Sequence, residues 1–397
     1  YNNIKKASYN AYVFFSKLGN KLLKKSNNYI VTVKDNNIAI LINNYNHYAD
    51  LYANNEYYEI IMNILFTCAG RRTYLLKYFK DNLSEQDIIV ATDMQLSAPA
   101  LQIADVKIKV PAVNDPNYIA VIIEICKMYH IDAVLSLNDL ELPILAKNKT
   151  CFETLGVELI ISDLDVIDIC FDKYKTAKWI KSIGLDAPKT YLGLESVKDA
   201  LLAREVSFPL FMKPRWGSGS IGLETVENME ELYFYYEFLK KKIKKTILAT
   251  VSVGDEYIMI QEKLFGVEFG LDVMNNLKGE NVGVSVKKKL SMRAGETDKA
   301  MTIDSPDLRR IGKSIGQSLK HIGNLDVDIM QRGNGDFCVI EMNPRFGGGY
   351  PFSHEAGVNL PMAIIKWIRG EQVDDSIFQP KYGKTFSKND YLMEIKD

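Results

Sequence analysis

The chain predicts an α/β protein, in part α+β, on three observations. From Met62 onward short β-type runs alternate with helical stretches. The last third instead brings consecutive β runs joined by tight turns. No apolar run reaches the ~20 residues that would make it a membrane protein.

Residues 1–61 stand apart, being dense in Asn and Tyr, with apolar runs at 29–33 and 38–42 around Lys34-Asp35-Asn36-Asn37, which predicts a β-hairpin with an Asp/Asn turn. Met62 opens a new pattern: strands at 63–67, 88–92, 106–110 and 132–137, separated by helical stretches at 73–82, 97–104, 116–129 and 139–147. Strands alternating with helices predict a doubly wound parallel sheet, whose ligands sit at the carboxyl ends of the strands. Here these are the loop 68–72, Asp93 and Asn138-Asp139. That loop holds one glycine, Gly70, so the dinucleotide-binding fingerprint is missing and a nicotinamide dehydrogenase is disfavoured. Arg71 and Arg72 beside it either hold a substrate carboxylate or form a solvated pair at a helix start.

A smaller unit at 187–260 carries strands at 189–192, 209–214 and 257–262 and helices at 195–203 and 228–244. The lysines of 240–245 end its second helix, where cations suit the helix dipole and form a solvated face. Further β runs follow at 268–274, 282–291, 325–331 and 337–342, with helices at 306–321 and 360–369. The expected domains are therefore 1–61 as an appendage, 62–170, and 171–397 divided into 187–260 and 261–397.

Composition removes several function classes. The 49 basic and 50 acidic residues nearly cancel, leaving no strong positive field for nucleic acid. Cys68, Cys126, Cys151, Cys170 and Cys338 form no C-x-x-C pair, which disfavours a zinc ribbon, a redox dithiol or a disulfide framework and fits a reducing compartment. The apolar run AYVFF behind the first lysines is shorter than a signal-peptide core and lacks a cleavage site. A cytoplasmic protein with neither nucleic acid nor membrane as partner is expected.

Chemistry concentrates in two segments. In 325–349 the tight turn GNGD folds two strands back so that Asp328 lies opposite Glu341, with Asn343 two positions further on the same face. Three hard oxygen donors suit Mg²⁺, which keeps its other positions for water and phosphate. The alternative is a cross-strand surface pair, but Val339, Ile340 and Met342 around Glu341 argue for burial, which is costly for a carboxylate without a cation. In 208–226 a strand delivers Lys213 just before a loop with Gly217, Ser218, Gly219 and Ser220, whose backbone N–H groups can approach phosphate oxygens. The spacing is not that of a Walker P-loop, and a simple turn is the alternative. Lys287 to Lys289 read either as an edge-strand charge run or as catalytic lysines, and His354 stays outside the catalytic set.

Together, in this order, these segments resemble the ATP-grasp superfamily, in particular its carbamoyl-phosphate-synthase-like carboxylate–amine ligases, over about residues 62–370. The resemblance implies an ATP-grasp fold with a preceding Rossmann-like domain, 187–260 as its lid, and ATP and Mg²⁺, with Mn²⁺ as a substitute. It further implies Lys173 and Lys213 on the phosphates, and Gln261, Glu262 and Leu264 beside adenine. Glu268 falls on the ribose, and Asp328, Glu341 and Asn343 on the metal. Arg345 falls at the transferring phosphate and Arg293 at the acyl phosphate, with Glu296 and Lys289 as further options. The implied reaction joins a small carboxylic acid to an amine through an acyl phosphate, releasing ADP. The alternative is a regulatory or assembly protein that binds nucleotide without turnover. Relatives often form dimers, so a homodimer is open to this chain. Residues 8–48 separately resemble the C-terminal part of family 39 glycoside hydrolases of xylosidase type, where a helix leads into strands, but the catalytic barrel of that family is absent.

Overall fold

In the computed structural model the described residues are 21–25, 29–34, 37–42, 61–217, 222–246, 248 and 256–395, and the chain divides into two units, Tyr1–Ile60 and Ile61–Asp397. In the first, β1 (Lys21–Lys25), β2 (Tyr29–Lys34) and β3 (Asn37–Ile42) form an antiparallel sheet with Lys34 opposite Asn37. The expected hairpin is present and gains a strand. The helix expected ahead of it lies outside the described residues.

The second unit begins with a parallel sheet of order β6-β5-β4-β7-β8: β4 (Asn63–Thr67), β5 (Ile88–Asp93), β6 (Val106–Lys109), β7 (Ala133–Ser136) and β8 (Glu158–Leu159). β4 is apolar on both faces because both are covered. Ile64 and Phe66 pack with α1 (Thr73–Lys80), whereas Leu65 packs with α2 (Tyr118–Met128). Strand order reverses at β4, which places a ligand crevice at its carboxyl end. The helix expected at 97–104 is only a 3₁₀ turn, Pro99–Gln102. Pro99 forces Ala98 into an extended conformation (ψ 128°), which shortens the segment. Helices α3 (Leu142–Lys147), α4 (Lys149–Thr154), α5 (Leu164–Phe171) and α6 (Lys173–Ser182) lead out of this domain.

A four-stranded antiparallel sheet of order β11-β10-β12-β9 follows, built from β9 (Thr190–Leu192), β10 (Leu210–Pro214), β11 (Glu224–Val226) and β12 (Ile258–Glu262). Helices α7 (Gly193–Leu202) and α8 (Met229–Ile243) cover it and enclose a core of their own, with Val197, Leu232, Leu239 and Ile260 buried together.

The final sheet has six antiparallel strands, ordered β17-β16-β13-β14-β15-β18: β13 (Val267–Asn275), β14 (Asn281–Arg293), β15 (Glu296–Thr302), β16 (Gly323–Gln331), β17 (Phe337–Asn343) and β18 (Thr385–Ser387). Helix α9 (Pro306–Leu319), capped by Ser305, packs Leu308, Ile315 and Leu319 on one face of it. Helices α10 (Tyr350–Glu355) and α11 (Leu360–Ile368) join the core of the first domain instead, where Phe346, Tyr350 and Ile364 meet Phe66, Phe79 and Leu101. Strands β15 and β18 were not foreseen, and they make β14 an interior strand. Lys287 is therefore no edge-strand charge: it is buried and ion-paired with Asp272, also buried, and its Nζ is 3.1 Å from Ser353 Oγ. Among the described residues no helix is long and apolar enough to cross a membrane.

Just beyond α9, His321 is fully buried with Nε2 2.9 Å from the Val273 carbonyl, and burial pushes its imidazole down to about 4. A depressed folded-state value favours the fold above the unfolded-state value, near 6.5, and that contribution is lost as pH falls toward 4. Urea denaturation of wild type should lose about 2 kcal/mol from this group between pH 7 and pH 5. His321→Gln should show a correspondingly flatter pH dependence, and equal slopes would remove His321 as the cause.

Candidate active site

A cleft of about 430 Å³ lies between the lid sheet and the six-stranded sheet. One wall is the β16–β17 hairpin, where Asp328 stands opposite Glu341 and Asp326 opposite Asn343, and all four side chains line the cleft. Simple alternation would place Val339 and Glu341 on one face. A β-bulge at Ile340 breaks the register, so that Val339 enters the core while Ile340 and Glu341 both face the cleft. Lys289 Nζ, on β14, bridges Asp328 on β16 (2.6 Å) and Glu268 on β13 (2.7 Å). Burial raises the Asp328 carboxyl, with Lys289 opposing it.

The opposite wall is basic. Lys173 opens α6, whose N-cap Asp172 accepts from the N–H groups of Tyr174 (3.0 Å) and Lys175 (3.3 Å) and is gripped by the Arg215 guanidinium at 2.7 to 3.0 Å. Lys173 Nζ donates to the Gly217 carbonyl and lies 3.7 Å from Glu341. Lys213, on β10, is buried, and burial pushes its ammonium down to about 8. Burial works to raise the Glu341 carboxyl, but Lys173 and Lys213 outweigh it and hold it below its ordinary value. Gly217 has φ +93°, and a Cβ there would meet Leu248 at 2.5 Å, so glycine is required where the strand enters the loop. Ser218, Gly219 and Ser220 lie outside the described residues.

Gln261, Glu262 and Leu264 all line the cleft. Gln261 Nε2 donates to Thr190 Oγ1 (2.7 Å), and the Glu262 carboxylate is taken up by Arg332 (2.7 and 3.2 Å) and the Lys189 N–H (2.9 Å). Glu262 thus ties the end of β12 to the β16–β17 turn with its side chain. Phe211, Leu223, Leu248 and Met330 add an apolar slot of the kind a flat aromatic base fills.

At the far end, Arg345 is 2.8 Å from Asp139, on the loop after β7, and 3.6 Å from Asp326. Gly347 packs directly on Asp326, where a Cβ would fall 2.1 Å from Oδ2. Arg72 donates to the Phe346 carbonyl (3.1 Å) and also faces the cleft, as does Glu296, whereas Arg71 is exposed. Arg293, expected at the acyl phosphate, is not brought to the cleft. Its side chain is 51% exposed and pairs with Asp298 (3.0 Å) and Asp390 (2.6 Å) outside the cleft. Irregularities in the β14–β15 pairing between Lys289 and Met292 upset the alternation there, so Lys289 and Met292 line the cleft while Arg293 does not. Asp326 was missed, although it carried a local signal, two positions before Asp328 on the same face of a strand. Asp139 was expected as a strand-end ligand position, and what the sequence did not show is its pairing with Arg345.

Two carboxylates and an amide oxygen on paired strands fit Mg²⁺, which takes a few protein oxygens and leaves its other positions to water and phosphate. Among the described residues no group of three or more His, Cys, Asp and Glu side chains is placed to hold a metal ion, so the donor set rests on Asp328 and Glu341 with the Asn343 amide.

The architecture is an ATP-grasp fold: an antiparallel four-stranded sheet facing a metal-type hairpin, with a Rossmann-like domain before it. The comparisons agree on this fold, and two family models match parts of the chain. Residues 64–160 match the PylC-like N-terminal domain, and residues 255–389 match the family described as ATP-grasp in the biosynthetic pathway with Ter operon. The carbamoyl phosphate synthase large chain of Clostridium botulinum is 26% identical over 252 residues, 61% of this chain and 22% of that protein. The biotin carboxylase domain dimer of Hydrogenobacter thermophilus 2-oxoglutarate carboxylase, solved with MgADP, ADP and bicarbonate, matches with TM-score 0.61 and 18% identity, over 80% of this chain and 71% of that one. The L-amino acid ligase of Bacillus licheniformis matches with TM-score 0.58 and 17% identity, over 81% and 78%. The chain spans 14 to 46% of the length of the curated relatives it matches.

Proposed function

We propose that the chain is an ATP- and Mg²⁺-dependent, ADP-forming ligase that activates a small carboxylic acid and joins it to an amine. One observation carries this reading: Lys173 and Lys213 face Glu341 and Asp328 across a single cleft that continues to Arg345. Phosphoryl transfer asks a protein mainly for positioning and charge neutralisation, and this cleft has the groups for both. Lys173 and Lys213 hold the phosphates, the apolar slot holds adenine, and Glu268 meets the ribose. A carboxylate oxygen of the acid, placed beside Arg345, attacks the γ-phosphorus. The bond to the β-phosphate oxygen breaks and ADP leaves an acyl phosphate. The amine nitrogen then attacks the acyl carbon, phosphate departs and the nitrogen loses a proton, giving the amide. Mg²⁺ held by Asp328, Glu341 and Asn343, or Mn²⁺ on the same oxygens, supplies charge neutralisation on the phosphates. Five free thiols suit a reducing, cytoplasmic setting, and a homodimer is consistent with the dimeric biotin carboxylase domain.

The experiment is ADP release from Mg-ATP against pooled amino acids and small carboxylic acids, with hydroxylamine added to trap an acyl phosphate as a hydroxamate. ADP and hydroxamate appearing together, dependent on one pool, are expected. ADP release that no acid stimulates, with no hydroxamate, would replace ligation by simple hydrolysis. The Lys213 ammonium also sets a pH limit: with its value near 8, phosphate binding is strong below pH 8 and weakens above it. The kcat/KM for ATP should fall about tenfold per pH unit above pH 8, and Lys213→Arg should remove that alkaline limb. An unchanged limb in the arginine variant would assign it to another group.

A further inference from the structure

Helix α8 buries Leu232, Tyr236, Leu239 and Ile243 against the lid sheet but leaves Tyr233, Phe234 and Phe238 exposed at 43, 64 and 43%. These rings are organised. Phe234 and Phe238 stack with centroids 6.4 Å apart, and Tyr235 meets them edge-on at 5.2 and 6.4 Å. A preformed aromatic patch at the surface marks a contact site. The charges around it change sign along the helix. Glu227, Glu230 and Glu231 stand at its beginning, and Lys241, Lys242, Lys244 and Lys245 at its end.

The order is self-complementary about Tyr236. Positions equidistant from that residue pair Glu227 with Lys245, Glu230 with Lys242, Glu231 with Lys241, and Phe234 with Phe238. Turning the helix end for end therefore sets acid on base and ring on ring, which is what an isologous twofold contact demands. We propose that α8 is a homodimer contact in which the helices of two copies pack antiparallel, Phe234 of each against Phe238 of the other. An anionic membrane fits the same face less well, because exposed Glu230 and Glu237 would be pressed against the lipid. A 15-residue helix spans only ~22 Å, and one helix face falls well short of the ~800 Å² per partner of a standard interface. The dimer is therefore weak, with a Kd on the order of tens of micromolar, and it weakens with salt.

The test is sedimentation of the full chain between about 5 and 200 µM, with circular dichroism melts to confirm that each variant is folded. Wild type should pass from monomer to dimer in that range, less so in 0.5 M NaCl. Phe234→Ser/Phe238→Ser should stay monomeric, as should Lys241→Glu/Lys242→Glu and Glu230→Lys/Glu231→Lys taken singly. An equimolar mixture of the two charge variants should dimerise again, since every facing pair is then opposite in sign. A monomeric wild type at 200 µM, charge variants that dimerise like wild type, or a mixture that stays monomeric would each overturn the proposal. So would binding to phosphatidylserine vesicles by a chain that remains monomeric in solution.

Discussion

Glu341→Ala is expected to lower the rate of ADP release by roughly 10³-fold or more, about 4 kcal/mol of lost transition-state stabilisation. Glu341 stands on the metal-type hairpin and lies 3.7 Å from Lys173, so its loss removes a proposed metal ligand and leaves Lys173 and Lys213 in uncompensated proximity. Lys213 should then hold its proton less well. Glu341→Gln, which keeps one oxygen donor and the shape, should be dead or nearly so while its thermal midpoint stays closer to wild type than that of the alanine variant. Activity within tenfold of wild type in either variant would sink the metal assignment, whatever the nucleotide affinity.

Arg345→Met is expected to act twice. With Arg345 beside the reacting phosphoryl group as proposed, its removal should cost about 10² to 10³ in kcat, with the KM for ATP nearly unchanged because the proposed nucleotide contacts lie elsewhere. The same change removes one partner of the 2.8 Å pair with buried Asp139, and breaking a buried ion pair on one side costs about 3 kcal/mol in stability. Kinetics and urea denaturation of one preparation separate the two effects. Destabilisation with an intact kcat would make Arg345 a strut between the first domain and the hairpin, with no part in catalysis.

Much of the architecture was legible because local signals agreed. The parallel strands announced themselves as apolar runs, and the turn GNGD folded β16 onto β17 as expected, with Asp328 opposite Glu341. Less legible was how Glu341 comes to face the cleft, since a bulge depends on the partner strand and leaves no period in the sequence. The placing of Arg293 outside the cleft was illegible for the same reason: irregular pairing within β14 decides which of its side chains turn inward, and a resemblance assigns positions as though the alternation were unbroken. The Arg345–Asp139 pair joins residues 206 positions apart, and Lys287–Asp272 is a buried pair whose members look like ordinary surface charges until the sheet is assembled. Lys289 was named among the weaker options, and its two carboxylate partners explain why it belongs with the hairpin.

The private core of the lid has an evolutionary reading. Because the first domain and helices α10 and α11 share one apolar seam, they should unfold, and change by mutation, largely as a block, whereas the lid encloses a separate interior and meets its neighbours through polar ties such as Glu262–Arg332 and Asp172–Arg215. In the proposed reaction the lid's share of the grip on the nucleotide can therefore drift with little effect on the end of the cleft where Arg345 and Arg72 would meet the acid.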